Sequence, residues 1–114
     1  MTVPYKMSGN LLLAHPEAKE AAAFYKETLG LKVYEETDDE TGFTTGDRIL
    51  YLAREPEPGF VYEYYVPDLE AAREELEAKG CQVVVWEGKG KPCYMRDPFG
   101  FTFNLWEAPE EFQD

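Results

Sequence analysis

The stretch Met95–Glu107, MRDPFGFTFNLWE, decides how the rest of the chain is read. It opens on a turn. In Asp97-Pro98-Phe99-Gly100 the proline fixes one torsion and the glycine is free to take a positive one. An alternating strand follows, with Phe101, Phe103 and Leu105 toward one side and Thr102, Asn104 and Trp106 toward the other. The apolar row reads as core. The other row sets a neutral amide, Asn104, at its centre, and that placement calls for a reason.

Upstream, the chain reads as two similar halves. In the first, Asn10–Ala14 (NLLLA) is a short buried strand, His15-Pro16 a corner, and Glu17–Leu29 a helix. Ala18, Ala21, Ala22, Tyr25 and Leu29 share one helical face, and Gly30 is a C-terminal stop. Leu31–Thr37 is predicted as a strand and residues 38–42 as a loop. Phe43–Thr45 and Arg48–Ala53 form a hairpin around Gly46-Asp47. Glu55-Pro56-Glu57-Pro58-Gly59 is the linker.

The order then repeats. Phe60–Val66 is a strand and Leu69–Lys79 a helix, with Leu69, Ala72 and Leu76 on one side and Gly80 ending it. Strands follow at Gln82–Glu87, Cys93–Arg96 and Phe101–Glu107. Ala22, Gly30 and Val33 match Ala72, Gly80 and Val83, each separated by fifty positions, and the corner His15-Pro16-Glu17 matches Val66-Pro67-Asp68. The expected organisation is one domain. Module one spans about residues 1–54, the linker 55–59, module two about 60–107 and a tail 108–114. Each half, strand–helix–strand–strand–strand, is too small to bury its own sheet well and needs a partner surface.

Composition bounds the function. At 114 residues with 44% hydrophobic and 15% aromatic content, the chain is globular and long enough for one core without disulfides. No apolar run approaches the roughly 18 residues of a membrane helix, and MTVPYKMSGN lacks a signal-peptide pattern. The two cysteines, Cys81 and Cys93, are expected as reduced thiols of a cytoplasmic protein. A net charge of −12 with no basic stripe argues against nucleic acid. It suits solubility, and also the attraction of a cationic ligand.

Three segments carry a family resemblance: AAAFYKETLGLKVYEE at Ala21–Glu36, VPDLEAAREELEAKG at Val66–Gly80, and RDPFGFTFNLWE at Arg96–Glu107. In combination they resemble the vicinal oxygen chelate superfamily, which holds glyoxalase I, extradiol dioxygenases, fosfomycin-resistance enzymes and bleomycin-resistance proteins. The resemblance implies an α+β fold of two βαβββ modules whose curled mixed sheets enclose a cavity, often completed in a homodimer. It also implies a metal held by one ligand on each of four strands, commonly two histidines and two glutamates. Carried over, those four positions fall on Asn10, Tyr51, Val61 and Asn104. None is a conventional ligand, so no metal and no cofactor are expected, and Asn104 stands where a metal-bound carboxylate would be. The lone histidine, His15, reads as a surface or capping residue.

Alternation then nominates the wall of the implied cavity. If Tyr62, Tyr64 and Val66 pack under the second helix, Val61, Glu63 and Tyr65 face the cavity, joined by Asn10, Leu12 and Ala14 from the first strand and by Thr102, Asn104 and Trp106 from the last. Tyr94 and Arg96 flank the turn, and the resemblance places a substrate-contacting residue at Tyr94. Trp106, Tyr94 and Tyr65 suit a flat ligand, Asn10 and Asn104 would orient it, and Glu63 would pair with Arg96 or receive a cation. The leading expectation is a metal-free binder of a small planar or cationic molecule, similar to the bleomycin-resistance branch and not an enzyme. Two alternatives stand beside it. One is an enzyme of the superfamily's lyase, isomerase, dioxygenase or transferase types with non-standard ligands or metal-free acid–base chemistry; the other is a structural dimer. Neither nucleic acid nor membrane is expected as a partner.

Overall fold

The computed structural model describes residues 2–113. They form two compact units: residues 9–61, and residues 62–113 together with residues 2–8. The chain order is β1 (Lys6–His15), α1 (Ala18–Glu27), β2 (Lys32–Glu36), β3 (Glu40–Thr44), β4 (Ile49–Arg54), β5 (Gly59–Val66), α2 (Leu69–Ala78), β6 (Gln82–Trp86), β7 (Cys93–Arg96), β8 (Thr102–Glu107) and a closing 3-10 turn (Pro109–Phe112). The fold is α+β, with βαβββ occurring twice.

In the first unit the strand order is β2-β3-β4-β1. β1 and β4 run parallel, with Leu13 beside Leu52, and the other pairs are antiparallel. Phe43 and Leu52 are buried under α1, packed by Leu13, Tyr25, Leu31 and Val33. The helix can lie close to the sheet because its inward face is alanine, with Ala18 and Ala22 both buried. The helix is shorter than expected. It ends at Glu27, so Leu29 falls in the following turn and is exposed rather than packed. β3 begins at Glu40, inside the segment expected as loop, because the Thr37 and Arg54 amides bond the carbonyls of Glu40 and Asp39 and draw the chain into the ladder.

The second unit repeats the pattern as β5-β8-β7-β6, with β5 and β8 parallel and the rest antiparallel. Its core is Val66, Leu69, Ala72, Cys81, Cys93, Met95 and Leu105. α2 is closed at both ends by its own chemistry. At the N-terminus Asp68 Oδ1 accepts from Ala71 N–H (3.1 Å) and Glu107 Oε1 accepts from Leu69 N–H (2.9 Å). At the C-terminus the Gly80 amide bonds Glu77 O and the Cys81 amide bonds Leu76 O, the paired capping bonds of a Schellman motif, with Gly80 at φ 99°. Cys81 and Leu76 both join the core there.

The internal repeat reaches a detail that composition does not reveal. The β2–β3 register shifts between Val33 and Glu35, and the β6–β7 register shifts between Val83 and Val85. The skipped residues, Tyr34 and Val84, are fifty positions apart, and both are exposed. Bulges at matching places raise the local twist of β2 and of β6 alike.

Two expected core contacts are absent, and one strand boundary differs. The first strand starts at Lys6, not Asn10. Phe101 lies within the turn, outside β8, and is 64% exposed. Tyr62 is 45% exposed, since β5 extends beyond the reach of α2; Tyr64 and Val66 alone make the helix-side contacts. Residues 2–8 instead bring Val3 and Tyr5 to α2: Val3 N–H and Tyr5 O–H both donate to Glu75 Oε2, at 3.0 and 2.8 Å. Burial and the Glu75 bond push the Tyr5 phenol up, and the two donors hold the Glu75 carboxyl below its ordinary value of 4.5.

Two outcomes follow from this packing. Leu105→Ala, at a site with no exposed surface, lowers unfolding stability by about 2–5 kcal/mol in urea denaturation. Because Glu75 is more acidic folded than unfolded, its contribution is present above its ordinary pKa and is lost as pH falls through the folded value. Glu75→Gln therefore lowers stability at pH 7 and flattens the acid side of the stability–pH curve, read from urea midpoints at pH 3 to 7.

Candidate functional site

The site is built on the face of the second sheet that α2 leaves free. Leu105 points under the helix and is fully buried, so Thr102, Asn104 and Trp106 turn the other way. The register then places polar partners beside them. Asn104 on β8 stands directly between Glu63 on β5 and Tyr94 on β7. One step along, Tyr65 lies opposite Trp106, and one step back, Arg96 lies opposite Thr102. Strands in a sheet are about 4.8 Å apart, so Glu63, Asn104 and Tyr94 form a short row of acid, amide and phenol. Alternation therefore puts all seven nominated residues of residues 62–113 on one face.

Asn104 is the unusual member. It is only 6% exposed, and its Oδ1 has no hydrogen-bond partner. A buried carbonyl without a donor forfeits about 1–3 kcal/mol. Cores discard such groups unless something else requires them. Trp106 is 39% exposed at the end of the row and offers part of its indole to solvent. The turn that starts β8 is rigid: Asp97 Oδ1 accepts from both Phe99 N–H and Phe101 N–H at 2.9 Å.

In the first unit, Asn10, Leu12 and Tyr51 lie on the face away from α1, with Leu12 beside Tyr51 in the β1–β4 ladder. Asn10 Oδ1 accepts from Ile49 N–H (2.9 Å), which spends its carbonyl on the start of β4. Leu12 is buried and Tyr51 half-buried. The Tyr51 ring covers Gly42, where an added Cβ would stand 3.1 Å from the ring. That glycine was not singled out from sequence; its one signal was a Gly inside a strand. Val61 is buried on β5.

The residues at the positions carried over do not fit a metal. The Asn10 carbonyl is occupied by backbone, Val61 carries no donor atom, and no group of three His, Cys, Asp or Glu among the described residues could hold an ion. His15 is accounted for elsewhere: its Nδ1 accepts from Glu17 N–H (2.9 Å) at the entry to α1. Glu107, with the wrong parity for the row, caps α2. Cys93 is no nucleophile, since burial pushes its thiol up to about 11.

The sequence profile of the glyoxalase-like domain matches residues 10–106. The chain belongs to the glyoxalase-like domain family. That places it in the vicinal oxygen chelate superfamily, and solved structures agree on the fold. A glyoxalase/bleomycin resistance protein/dioxygenase superfamily member from Vibrio splendidus 12B01 is 16% identical with a TM-score of 0.63, covering 94% of this chain and 100% of that one. The hypothetical protein BH1468 from Bacillus halodurans C-125 is 15% identical with a TM-score of 0.65, covering 91% and 94%. A variant of homoprotocatechuate 2,3-dioxygenase from B. fuscum is 19% identical with a TM-score of 0.65; 93% of this glyoxalase-like domain spans only 33% of that enzyme. No curated protein sequence matches the chain.

The orphan acceptor generates a test. Asn104→Leu replaces a buried, unpartnered carbonyl with an apolar group of similar size, so the unliganded domain gains about 1 kcal/mol in urea denaturation. A loss of stability would make Asn104 a structural residue.

Proposed function

We propose that this glyoxalase-like domain binds a small planar or cationic molecule without a metal or other cofactor. The single observation that carries the reading is the Asn104 carbonyl, buried without a donor at the centre of the Glu63–Asn104–Tyr94 row. In this reading Tyr94, Tyr65 and Trp106 hold a flat body by stacking. Glu63 favours positive charge on it, and the −12 net charge draws it in. Arg96, two strands from Glu63 on the same face, adds a positive charge, and within residues 9–61 Asn10, Leu12, Tyr51 and Val61 are candidate contacts of their own unit. The protein acts in the cytoplasm as a homodimer, with neither nucleic acid nor membrane as partner. No helix among the described residues is long and apolar enough to cross a membrane. Exposed apolar residues such as Phe24, Tyr34 and Phe60 supply surface for a second copy.

Catalysis is the second reading. Glu63 and Tyr94 flank Asn104 from opposite strands, the placement a base and an acid would take on either side of one bound group. The first reading has a direct test using proflavine, a flat cation, as probe. Proflavine quenches Trp106 emission saturably, Glu63→Gln weakens its binding about tenfold, a loss of about 1.4 kcal/mol, and Trp106→Phe removes the quenching. Unchanged emission and melting temperature with proflavine would end that reading, and a stoichiometric transition metal in protein purified without chelator would end its metal-free part.

A further inference from the structure

Two adjoining cavities open at the start of α2, walled entirely by residues 67–107 of the second unit. The smaller, about 110 Å³, is lined by Leu69, Trp106, Lys89, Gly90, Lys91 and Glu107. The larger, about 360 Å³, is lined by Pro67, Asp68, Glu70, Lys89 and Glu107. Lys89 and Glu107 border both, so one small molecule can reach from Trp106 to Glu70. A cavity of about 150 Å³ already admits a benzene ring.

The charges are arranged with a sense. The loop between β6 and β7 reads Gly88-Lys89-Gly90-Lys91, and its two glycines take φ 109° and 84°. A Cβ at either would meet nothing within 4 Å, so the glycines serve the path of the chain and not its clearance. The turn is closed by Lys91 N–H donating to Gly88 O (3.1 Å). It carries both lysines to the cavity, and neither ammonium makes a hydrogen bond or ion pair among the described residues. On the opposite wall Asp68 and Glu107 are engaged by the amides of Ala71 and Leu69, while the Glu70 carboxylate is not engaged.

A simple anion in this space would sit against Glu107 and Glu70, and a simple cation against two lysines. A molecule with both charges meets each wall with its opposite. We propose that the paired cavities bind a small zwitterion with an apolar body, the chemistry of a free α-amino acid. Its carboxylate lies between Lys89 and Lys91, its ammonium faces Glu70, and its side chain rests against Trp106. The site is separate from the Glu63–Asn104–Tyr94 row and shares only Trp106 with it.

The test is a titration of the full chain with L-phenylalanine, followed in ¹⁵N–¹H correlation spectra. Saturable shifts are expected at the Trp106 indole N–H and at the amides of Gly88 to Lys91. 3-Phenylpropanoate, which lacks the ammonium, and 2-phenylethylamine, which lacks the carboxylate, bind at least about tenfold more weakly, a difference of about 1.4 kcal/mol. The exposed Lys89→Ala, Lys91→Ala double variant abolishes the shifts and Glu70→Gln weakens them. No shift at these residues, or 3-phenylpropanoate binding as tightly as L-phenylalanine, overturns the proposal. The loop amides it reads lie outside the Glu63–Asn104–Tyr94 row, so its failure leaves the proflavine reading standing.

Discussion

The position of β8 between β5 and β7 is the constraint on which the second unit depends. Leu105 must be under α2, because that burial supplies the centre of the core, and a strand has only two faces. Once Leu105 is committed, Asn104 and Trp106 have no choice of side. A slip of one residue would put the amide into the core and expose Leu105, so the functional face is registered by the same packing that stabilises the sheet. Hydrophobic burial thus positions polar groups that take no part in it.

Much of this could be read from the residues. The strand–helix–strand order recurs, with the glycines after both helices fifty positions apart and the corner residues fifty-one apart, and the structure has two βαβββ units. The facing of Asn104 followed from simple alternation beside a DPFG turn. What could not be read depends on contacts between residues far apart in sequence. Val3 and Tyr5 are held by Glu75, about seventy residues away, and nothing in TVPYK announces it. Tyr62 and Phe101 look like core by parity but lie where the helix does not reach. Tyr34 and Val84 pass as ordinary strand residues, since a bulge is a matter of pairing and leaves alternation intact on either side. Among the site residues, the row across β5, β8 and β7 needed register, which a single strand's pattern does not contain.

A family that elsewhere organises carboxylates and imidazoles around an ion has, in this chain, amide, phenol and alkyl groups at the corresponding places. Such a replacement changes what the scaffold must hold. Ionised ligands repel one another and need a cation between them, whereas an amide and an aromatic ring tolerate close neighbours with no counter-charge. The face itself stays geometrically defined, because the register of β5, β8 and β7 fixes which side chains it carries. The Asn104 carbonyl, left without a donor in that face, is a local departure from good packing.

The clasp between Glu75 and the opening residues has a practical consequence for anyone who would divide the polypeptide. A fragment beginning at the linker would contain every strand and helix of the second repeat, yet lack Val3, which packs against its core, and Tyr5, and so leave the Glu75 carboxylate without its two donors.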